Sequence, residues 1–306
     1  MTDLTAVLAA QNAAIPLGAY THAELEKDLT TLAENIRPVF IVAEQDGQIV
    51  GAANYHRFAG AYHPNKFGAD LFVHPQYQNR GIGTALFTTL LEKLAPLEPI
   101  SLTIQARQSE PHAVAFANKY GFREIKRLFE SLLDLSTYSS QPYSLPDGVE
   151  LVSWQDTDSL ERRQELHQVF ELVRLDMPRS EAPTRITFEF FNENIVADSE
   201  TLLELSFYAL QHNQIIGFTG CFKGAHDGWI DQWVTATTAA ARGQGIATAL
   251  KKKQIELAQQ AGFSTIRTDN DTRNAAMLAI NDKLGFVRQA ALLVMKKEFL
   301  NEGVFE

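Results

Sequence analysis

The chain has 306 residues, of which 45% are apolar and 21% charged, a composition typical of a globular protein with two domains of ordinary size. Its formal net charge of −10 argues against duplex nucleic acid or an anionic membrane as the main partner, since both favour a basic surface. The single cysteine, Cys221, excludes an internal disulfide, and no signal-like or membrane-length apolar run is present. We therefore expect a cytoplasmic protein.

The first half of the chain predicts helices followed by a sheet. Two segments have helical spacing, two apolar runs joined across a Gln-Asp-Gly turn form a hairpin, and further strands alternate with helices. The predicted elements are helices at 4–13 and 22–36, strands at 39–43, 49–55 and 69–73, a helix at 82–94, a strand at 101–105, a helix at 112–120, and one bent strand or two short ones at 123–134.

The second half predicts the same order after a linker rich in Ser, Tyr and Pro at 136–148. The predicted elements are a strand at 149–154, helices at 157–174 and 184–192, strands at 202–210, 215–222 and 229–237, a helix at 245–261, a strand at 263–268, a helix at 273–284 and closing strands at 286–298. We predict two domains, residues 1–140 and 141–306.

A Gly-rich stretch organises both halves. Residues 78–86, QNRGIGTAL, recur as residues 242–250, RGQGIATAL, which is 164 positions later. The pair Gly121-Phe122 recurs as Gly285-Phe286 at the same spacing. Such a period is far longer than that of a solenoid, so it indicates duplication of a whole domain.

Each copy of the stretch leads from a loop into a helical pattern. Small residues there let a ligand approach the backbone, and the unpaired N–H groups of a first helical turn are donors to an anion. A single such loop is about as often a plain connection as a binding site. Its duplication favours the binding interpretation.

The two stretches resemble the acetyl-CoA loop of the GCN5-related N-acetyltransferase (GNAT) superfamily, written Gln/Arg-x-x-Gly-x-Gly/Ala. The second half is also similar to the C-terminal domain of tandem acetyltransferases of the mycothiol synthase type, through Trp233-Val234-Thr235 and residues 268–278. The resemblance implies an α/β (α+β) fold of tandem GNAT domains, each with a mixed, mostly antiparallel central sheet flanked by helices. It also implies a cleft between two splayed strands that binds acetyl-CoA.

The resemblance implies which residues would contact acetyl-CoA, mainly through backbone N–H groups on the pyrophosphate and strand-like pairing with the pantetheine. In the second half they are Thr235, Ala236, Thr237, Arg242, Gly243, Gln244, Gly245, Ile246, Ala247, Thr248 and Asn274. In the first half they are Leu71, Phe72, Val73, Gln78, Asn79, Arg80, Gly81, Ile82, Gly83 and Thr84.

The chain departs from the family pattern at the tyrosine that commonly protonates the leaving thiolate, four residues before the Gly-Phe glycine. That position is Asn281 in the second half and Ala117 in the first, so we expect water or a tyrosine from elsewhere, such as Tyr208, to serve. Glu110 stands where the second half has Asn274. The second half is therefore predicted to be catalytic, with the first binding acetyl-CoA weakly or only structurally.

Candidate groups for deprotonating an amine are Asp231, Glu204 and Asp176, each of which is more often a solvated surface carboxylate. The run Lys251-Lys252-Lys253 could meet the 3′-phosphate of the cofactor or simply form a solvated face. No histidines have metal-ligand spacing, so no metal site is predicted.

The leading function is transfer of an acetyl group from acetyl-CoA directly to the primary amine of a small molecule. The missing tyrosine motivates an alternative, a non-catalytic protein that binds or senses acetyl-CoA. A dinucleotide-binding dehydrogenase is disfavoured because the loop lacks the third glycine of that motif. The sequence leaves monomer and homodimer open.

Overall fold

The computed structural model describes residues 4–14, 21–30 and 32–299. They form two compact units, one made of Met1–Lys126 with Leu292–Glu306 and the other of Arg127–Ala291. The described part of the chain contains no helix long and apolar enough to cross a membrane.

The helices and strands follow the predicted order. Those of the first half are α1 (Leu4–Ala14), α2 (His22–Thr30), β1 (Val39–Gln45), β2 (Gln48–His56), β3 (Lys66–Val73), α3 (Ile82–Leu94), β4 (Ser101–Arg107), α4 (Pro111–Lys119) and β5 (Arg123–Asp134). Those of the second half are β6 (Val149–Ser153), α5 (Leu160–Arg174), α6 (Phe188–Phe191), β7 (Phe207–Gln211), β8 (Gln214–Lys223), β9 (Trp229–Thr237), α7 (Ile246–Gln260), β10 (Thr265–Asp271), α8 (Ala275–Lys283), β11 (Val287–Arg288) and β12 (Leu292–Glu298).

Each unit has a mixed, mostly antiparallel sheet. In the first unit β1, β2 and β3 are antiparallel neighbours, β3 pairs with β4 in parallel, and β12 pairs antiparallel with β4. In the second unit β6, β7, β8 and β9 are antiparallel neighbours, β9 pairs with β10 in parallel, and β5 pairs antiparallel with β10. The predicted sheet architecture is confirmed.

The duplication is visible in the bounds of the elements. Helix α4 corresponds to α8 and strand β4 to β10 with first and last residues 164 positions apart, and α3 and α7 begin 164 positions apart, although α7 ends two residues later. Strand β5 corresponds in the same way to the span from β11 to β12. The two copies therefore share one fold from the strand before the Gly-rich loop onward.

The strands that end the two copies are exchanged. Strand β5 ends the first copy but pairs with β10 in the second unit, and β12 ends the second copy but pairs with β4 in the first unit. The predicted division at residue 140 follows the repeat, whereas the compact units divide near residues 126 and 291. Residues of the first copy can thus contribute to a site in the second unit.

Some predicted elements are shorter than expected. Helix α2 ends at Thr30, and the N–H groups of Ile36 and Arg37 close a separate turn on the Ala33 carbonyl. Strand β7 begins at Phe207, not at 202, because Leu202 and Leu205 are both buried around a 3-10 turn, a spacing that suits a turn and not a strand.

Candidate functional site

The two Gly-rich loops have the same backbone path. In the second unit a 3-10 turn follows β9, Gly243 and Gly245 have φ of 74° and 80°, and α7 begins directly afterwards. In the first unit Asn79 and Gly81 have φ of 61° and 84° before α3. Two residues in the left-handed region, separated by one ordinary residue, turn each loop into its helix.

The helix N-terminus after the second loop is open. Gly245 provides no side-chain cap, and the first helical hydrogen bond runs from Ala249 N–H to the Gly245 carbonyl at 3.0 Å. The N–H groups of Ile246, Ala247 and Thr248 precede that bond in the helix. A Cβ atom built on Gly243 or Gly245 would meet nothing within 4 Å. This exposed, electropositive end can hold an anion such as a pyrophosphate.

A cleft opens where the parallel strands of each unit separate. Only three residue pairs join β9 to β10, from Trp229 with Thr265 to Asp231 with Arg267, and three pairs also join β3 to β4. Beyond them the strands no longer pair. The splayed clefts predicted from the sequence are confirmed as features of the fold.

Backbone polar groups of β9 line the second cleft. Thr238 N–H donates to the Ile216 carbonyl on β8 at 2.9 Å. Because hydrogen-bonding direction alternates along an antiparallel ladder, the N–H and C=O groups of Thr235 and Thr237 point away from β8 and towards the gap beside β10. In the first unit, His74 N–H donates to Val50 O at 2.9 Å, so the same reasoning places the groups of Leu71 and Val73 in the first cleft.

A β-bulge distinguishes the second cleft from the first. Val234 opposes Gly220 and Gln232 opposes Cys221, so Trp233 is an extra residue on β9. The bulge turns both Trp233 and Val234 towards the apolar cluster formed with α5. The pairing of β2 with β3 runs without such a shift.

Asp231 lies on β9 at the last pair before the strands separate. Its Oδ2 accepts from Arg267 Nη1 at 2.9 Å, and Arg267 also donates to Glu130 Oε1 at 3.1 Å. Burial raises the pKa of the Asp231 carboxyl, and the neighbouring Arg267 guanidinium opposes that shift. Oδ1 of Asp231 is buried without a hydrogen-bond partner among the described residues. Asp231 is therefore the predicted base candidate that the fold places at the cleft.

The other two carboxylates lie elsewhere. Glu204 was expected on a hairpin strand, but it is exposed on the 3-10 turn Leu203–Leu205. Asp176 forms an ion pair with Arg242 of the second loop, and both side chains are about half exposed. In the first loop, Gln78 takes the place of Arg242, and its Nε2 donates to the Val73 carbonyl at 3.0 Å.

The candidates on the far side of the cleft have structural contacts. Asn274 caps α8 by accepting from Met277 N–H at 3.3 Å. Asn281 is 1% exposed and its Nδ2 donates to Asn270 Oδ1 at 2.6 Å. The expectation for Tyr208 is wrong, because this buried residue on β7 stacks on Trp154, is separated from β9 by β8, and has a pKa that burial raises.

Two side chains beside the cleft were missed, and the environment of a third was predicted wrongly. Glu130 and Arg267 were not singled out, since nothing in the sequence placed the end of the first copy beside β10. Lys251 was assigned to a cofactor phosphate or a solvated face, but it is 1% exposed and its Nζ donates to Gln232 Oε1. The repeat carried a signal for it, because the position 164 residues earlier is Phe87, an aromatic residue within an apolar helix face.

Comparisons with known proteins agree with this geometry. A model of the acetyltransferase (GNAT) domain matches residues 37–124, and a model of the acetyltransferase (GNAT) family matches residues 166–286. The mycothiol acetyltransferase of Amycolatopsis mediterranei is 28% identical over 272 residues, covering 81% of this chain and 80% of that protein. The mycothiol acetyltransferase of Renibacterium salmoninarum is 25% identical over 264 residues, covering 82% of this chain and 68% of that protein.

Solved structures show the same fold. A tandem GNAT protein from the clavulanic acid biosynthesis pathway has a TM-score of 0.75 at 20% identity, covering 96% of this chain and 93% of its own. A GCN5-related N-acetyltransferase from Sphaerobacter thermophilus has a TM-score of 0.73 at 18% identity, covering 97% of this chain and 94% of its own. The chain thus belongs to the GCN5-related N-acetyltransferase superfamily and is an acetyltransferase with two GNAT domains in tandem, similar to the mycothiol acetyltransferases.

Proposed function

We propose that the second cleft binds acetyl-CoA and transfers its acetyl group directly to the primary amine of a small molecule. The observation that supports this most is the position of Asp231, a carboxylate with a raised pKa at the point where β9 and β10 separate. Next to it the bulge at Trp233 interrupts the regular strand. The first cleft has the Gly-rich loop and the separated strands, but it has neither this carboxylate nor the bulge.

The second cleft suits a long anionic ligand that carries amides. The open first turn of α7 would hold the pyrophosphate through the N–H groups of residues 246–248, with the helix dipole favouring negative charge. The cleft-facing groups of Thr235 and Thr237 would pair with the amides of the pantetheine, as an added strand would. When bound, acetyl-CoA supplies an acetyl group activated as a thioester.

Asp231 is proposed as the base that takes the proton of the incoming amine. A base is most effective when its pKa lies near the working pH, and burial moves that of Asp231 upward from the usual carboxyl range. Its side chain is 34% exposed, so an amine can reach it. Arg267 and Glu130 hold the carboxylate in place, which gives the first copy of the repeat a part in the second site.

The first cleft is proposed to bind acetyl-CoA more weakly than the second or not at all. Gln78 already bonds to the Val73 carbonyl, one of the groups that would pair with the pantetheine. Glu110 at the start of α4 adds a negative charge where Asn274 is neutral. The division into repeats at residue 140 and a cytoplasmic location remain predictions from the sequence.

The alternative, a protein that binds acetyl-CoA without turnover, is motivated by Asn281, which cannot act as a normal acid and is buried. Titration calorimetry with acetyl-CoA, followed by a turnover assay on amino sugars, polyamines, amino acids and amine-bearing thiols, separates the two. The proposal expects one tight site and turnover on at least one class. Tight binding with no turnover across the panel would favour the sensor.

A further inference from the structure

A cluster of buried polar side chains lies between β9 and α7 in the second unit. Lys251 Nζ donates to Gln232 Oε1, Gln232 Nε2 donates to Gln254 Oε1, and Gln254 Nε2 donates to the Leu205 carbonyl at 2.8 Å. Lys251, Gln232 and Gln254 are between 0% and 5% exposed. Burying an ammonium and two amides costs free energy that apolar side chains of similar size would not cost.

The first copy of the repeat shows that the fold does not need these polar groups. Once the extra residue at Trp233 is allowed for, the positions in the first copy that match Lys251, Gln232, Gln254 and Asn281 are Phe87, Ala69, Leu90 and Ala117. Phe87 packs on Phe122 with ring centroids 5.9 Å apart, and Lys251 Nζ lies 4.9 Å from the ring centroid of Phe286, the matching residue. The same scaffold is thus filled with apolar atoms under one cleft and polar atoms under the other.

The cluster lies at the level where β9 and β10 part. Gln232 directly precedes the bulge, and its carbonyl accepts from Thr268 Oγ1 at 3.3 Å. Thr268 is the residue that follows the last paired residue, Arg267. Because successive side chains of a strand point to opposite faces, Asp231 and Gln232 lie on the two sides of the sheet. The Asp231 carboxylate and the Gln232 amide that accepts from Lys251 therefore lie on opposite faces of β9 beside the point where the strands part.

We propose that Lys251 supplies the proton that the sulfur of coenzyme A takes up when the acetyl group leaves. The inference rests on the proposed function, and it requires the sulfur to lie between the strands at the level of Gln232. In this step the amine nitrogen forms a bond to the acetyl carbon and the carbon–sulfur bond breaks. Asp231 takes the proton released by the nitrogen and later gives it up to solvent, and Lys251 Nζ gives a proton to the sulfur. After the thiol form of coenzyme A has left, a proton from solvent restores the lysine for the next turnover.

The surroundings of Lys251 suit this role. Burial alone lowers the pKa of its ammonium to about 7, and no carboxylate contributes to the shift. The groups in contact with it are the amide of Gln232 and the ring of Phe286, and Gln232 in turn donates to Gln254. Farther along the cluster, burial raises the pKa of the Cys221 thiol to about 12, and the exposed Glu204 adds to that shift. An acid whose pKa lies near the working pH is an efficient proton donor.

The test uses free coenzyme A and needs no amine. The thiol of coenzyme A bound to the full chain is titrated by the ultraviolet absorbance of its thiolate, in the wild type, Lys251→Arg and Lys251→Met. Lys251, with a pKa of about 7, is largely neutral where a thiol titrates, whereas an arginine keeps its charge there. A nearby cation favours a thiolate, so the bound thiol should titrate about one pH unit lower in Lys251→Arg than in Lys251→Met. Cys221 does not interfere, since burial raises the pKa of its thiol to about 12. Phe87→Met is the matched control in the first copy and should behave as the wild type.

The arginine variant also separates charge from proton donation. Lys251→Arg keeps a positive charge but does not release its proton near neutral pH, so it should lose acetyl transfer at least about tenfold. Identical thiol titration in folded Lys251→Arg and Lys251→Met would overturn the inference while leaving amine acetylation intact, because the side chain at position 251 would then not reach the sulfur. Failure of coenzyme A to bind the second cleft would overturn the proposed function and this inference together.

Discussion

The two clefts share a backbone but differ in the groups that surround the point where their strands separate. Both have the left-handed loop, the open helix start and three parallel residue pairs. The second adds the bulge at Trp233, the Asp231 carboxylate and the buried Lys251, whereas the first has a regular strand and Phe87. A scaffold that can hold a ligand is therefore common to both copies, and the chemical groups belong to one.

The largest expected effect comes from the Gly-rich loops. Gly245→Glu places a carboxylate at the helix start, where an anion needs donors, and a side chain at φ 80°. We expect acetyl transfer to fall below detection. Gly81→Glu, at φ 84°, makes the same change in the first copy and should leave most of the activity.

Steady-state rates for the two loop variants, with circular dichroism to verify folding, check this prediction. Gly245→Ala serves as the control for backbone strain, since it adds a side chain without the charge. Loss of activity in Gly81→Glu alone would move the active site to the first unit.

A smaller effect is expected at the base. Asp231→Asn keeps the shape of the side chain but removes its capacity to take a proton, so kcat should fall roughly 10²- to 10⁴-fold. The affinity for acetyl-CoA should stay the same, because the helix start and the cleft-facing backbone are untouched. Stopped-flow turnover and calorimetry on the same sample measure both quantities, and a matched loss of affinity would contradict the role.

The exchanged strand allows a test of how the first copy contributes to the second site. Glu130→Gln removes one of the two carboxylates that share the positive charge of Arg267. Asp231 then interacts with that charge without competition, so its pKa should fall. The acid limb of the kcat/KM profile should then move to lower pH by about one unit. Asp158→Asn, which removes a carboxylate paired with Arg163, is the control. If the acid limb of the Glu130→Gln profile does not move, Glu130 does not influence the pKa of Asp231 through Arg267.

The smallest expected effect is on stability. Burial lowers the pKa of Lys251 to about 7 from the ordinary lysine value of 10.5, so between those values the unfolded chain binds more protons than the folded one. The free energy of unfolding should therefore rise with pH across that window, by about 1.4 kcal/mol per unit at most. Urea titrations at pH 7 and pH 10 should show this rise in the free energy of unfolding for the wild type and for Phe87→Met. Lys251→Met should lack the part of the rise that comes from the lysine.

Much of this comparison could be predicted from the sequence. The period of 164 residues, the loops and the hairpins are sequence patterns, and the contrast of Glu110 with Asn274 pointed to unequal halves. The exchange of β5 and β12 could not be predicted, because two matching strands fit either sheet and the repeat does not say which copy fills which place. Glu130 was missed for that reason.

Lys251 was missed for a different reason. A lysine early in a helix is usually solvated, and only the tertiary packing of α7 on β9 buries it. A comparison with Phe87, the matching residue of the first copy, would have suggested from the sequence alone that Lys251 is buried. In a duplicated chain, a polar residue opposite an aromatic one in the other copy is thus worth testing for burial.

The most direct test of the central claim is a crystal structure of the full chain with acetyl-CoA. We predict electron density for the pyrophosphate at residues 246–248 and for the thioester at the bulge, between Asp231 and Lys251. Occupancy at residues 82–84 should be lower or absent. Acetyl-CoA bound only in the first cleft, with the second loop empty, would contradict the assignment of acetyl transfer to the second unit.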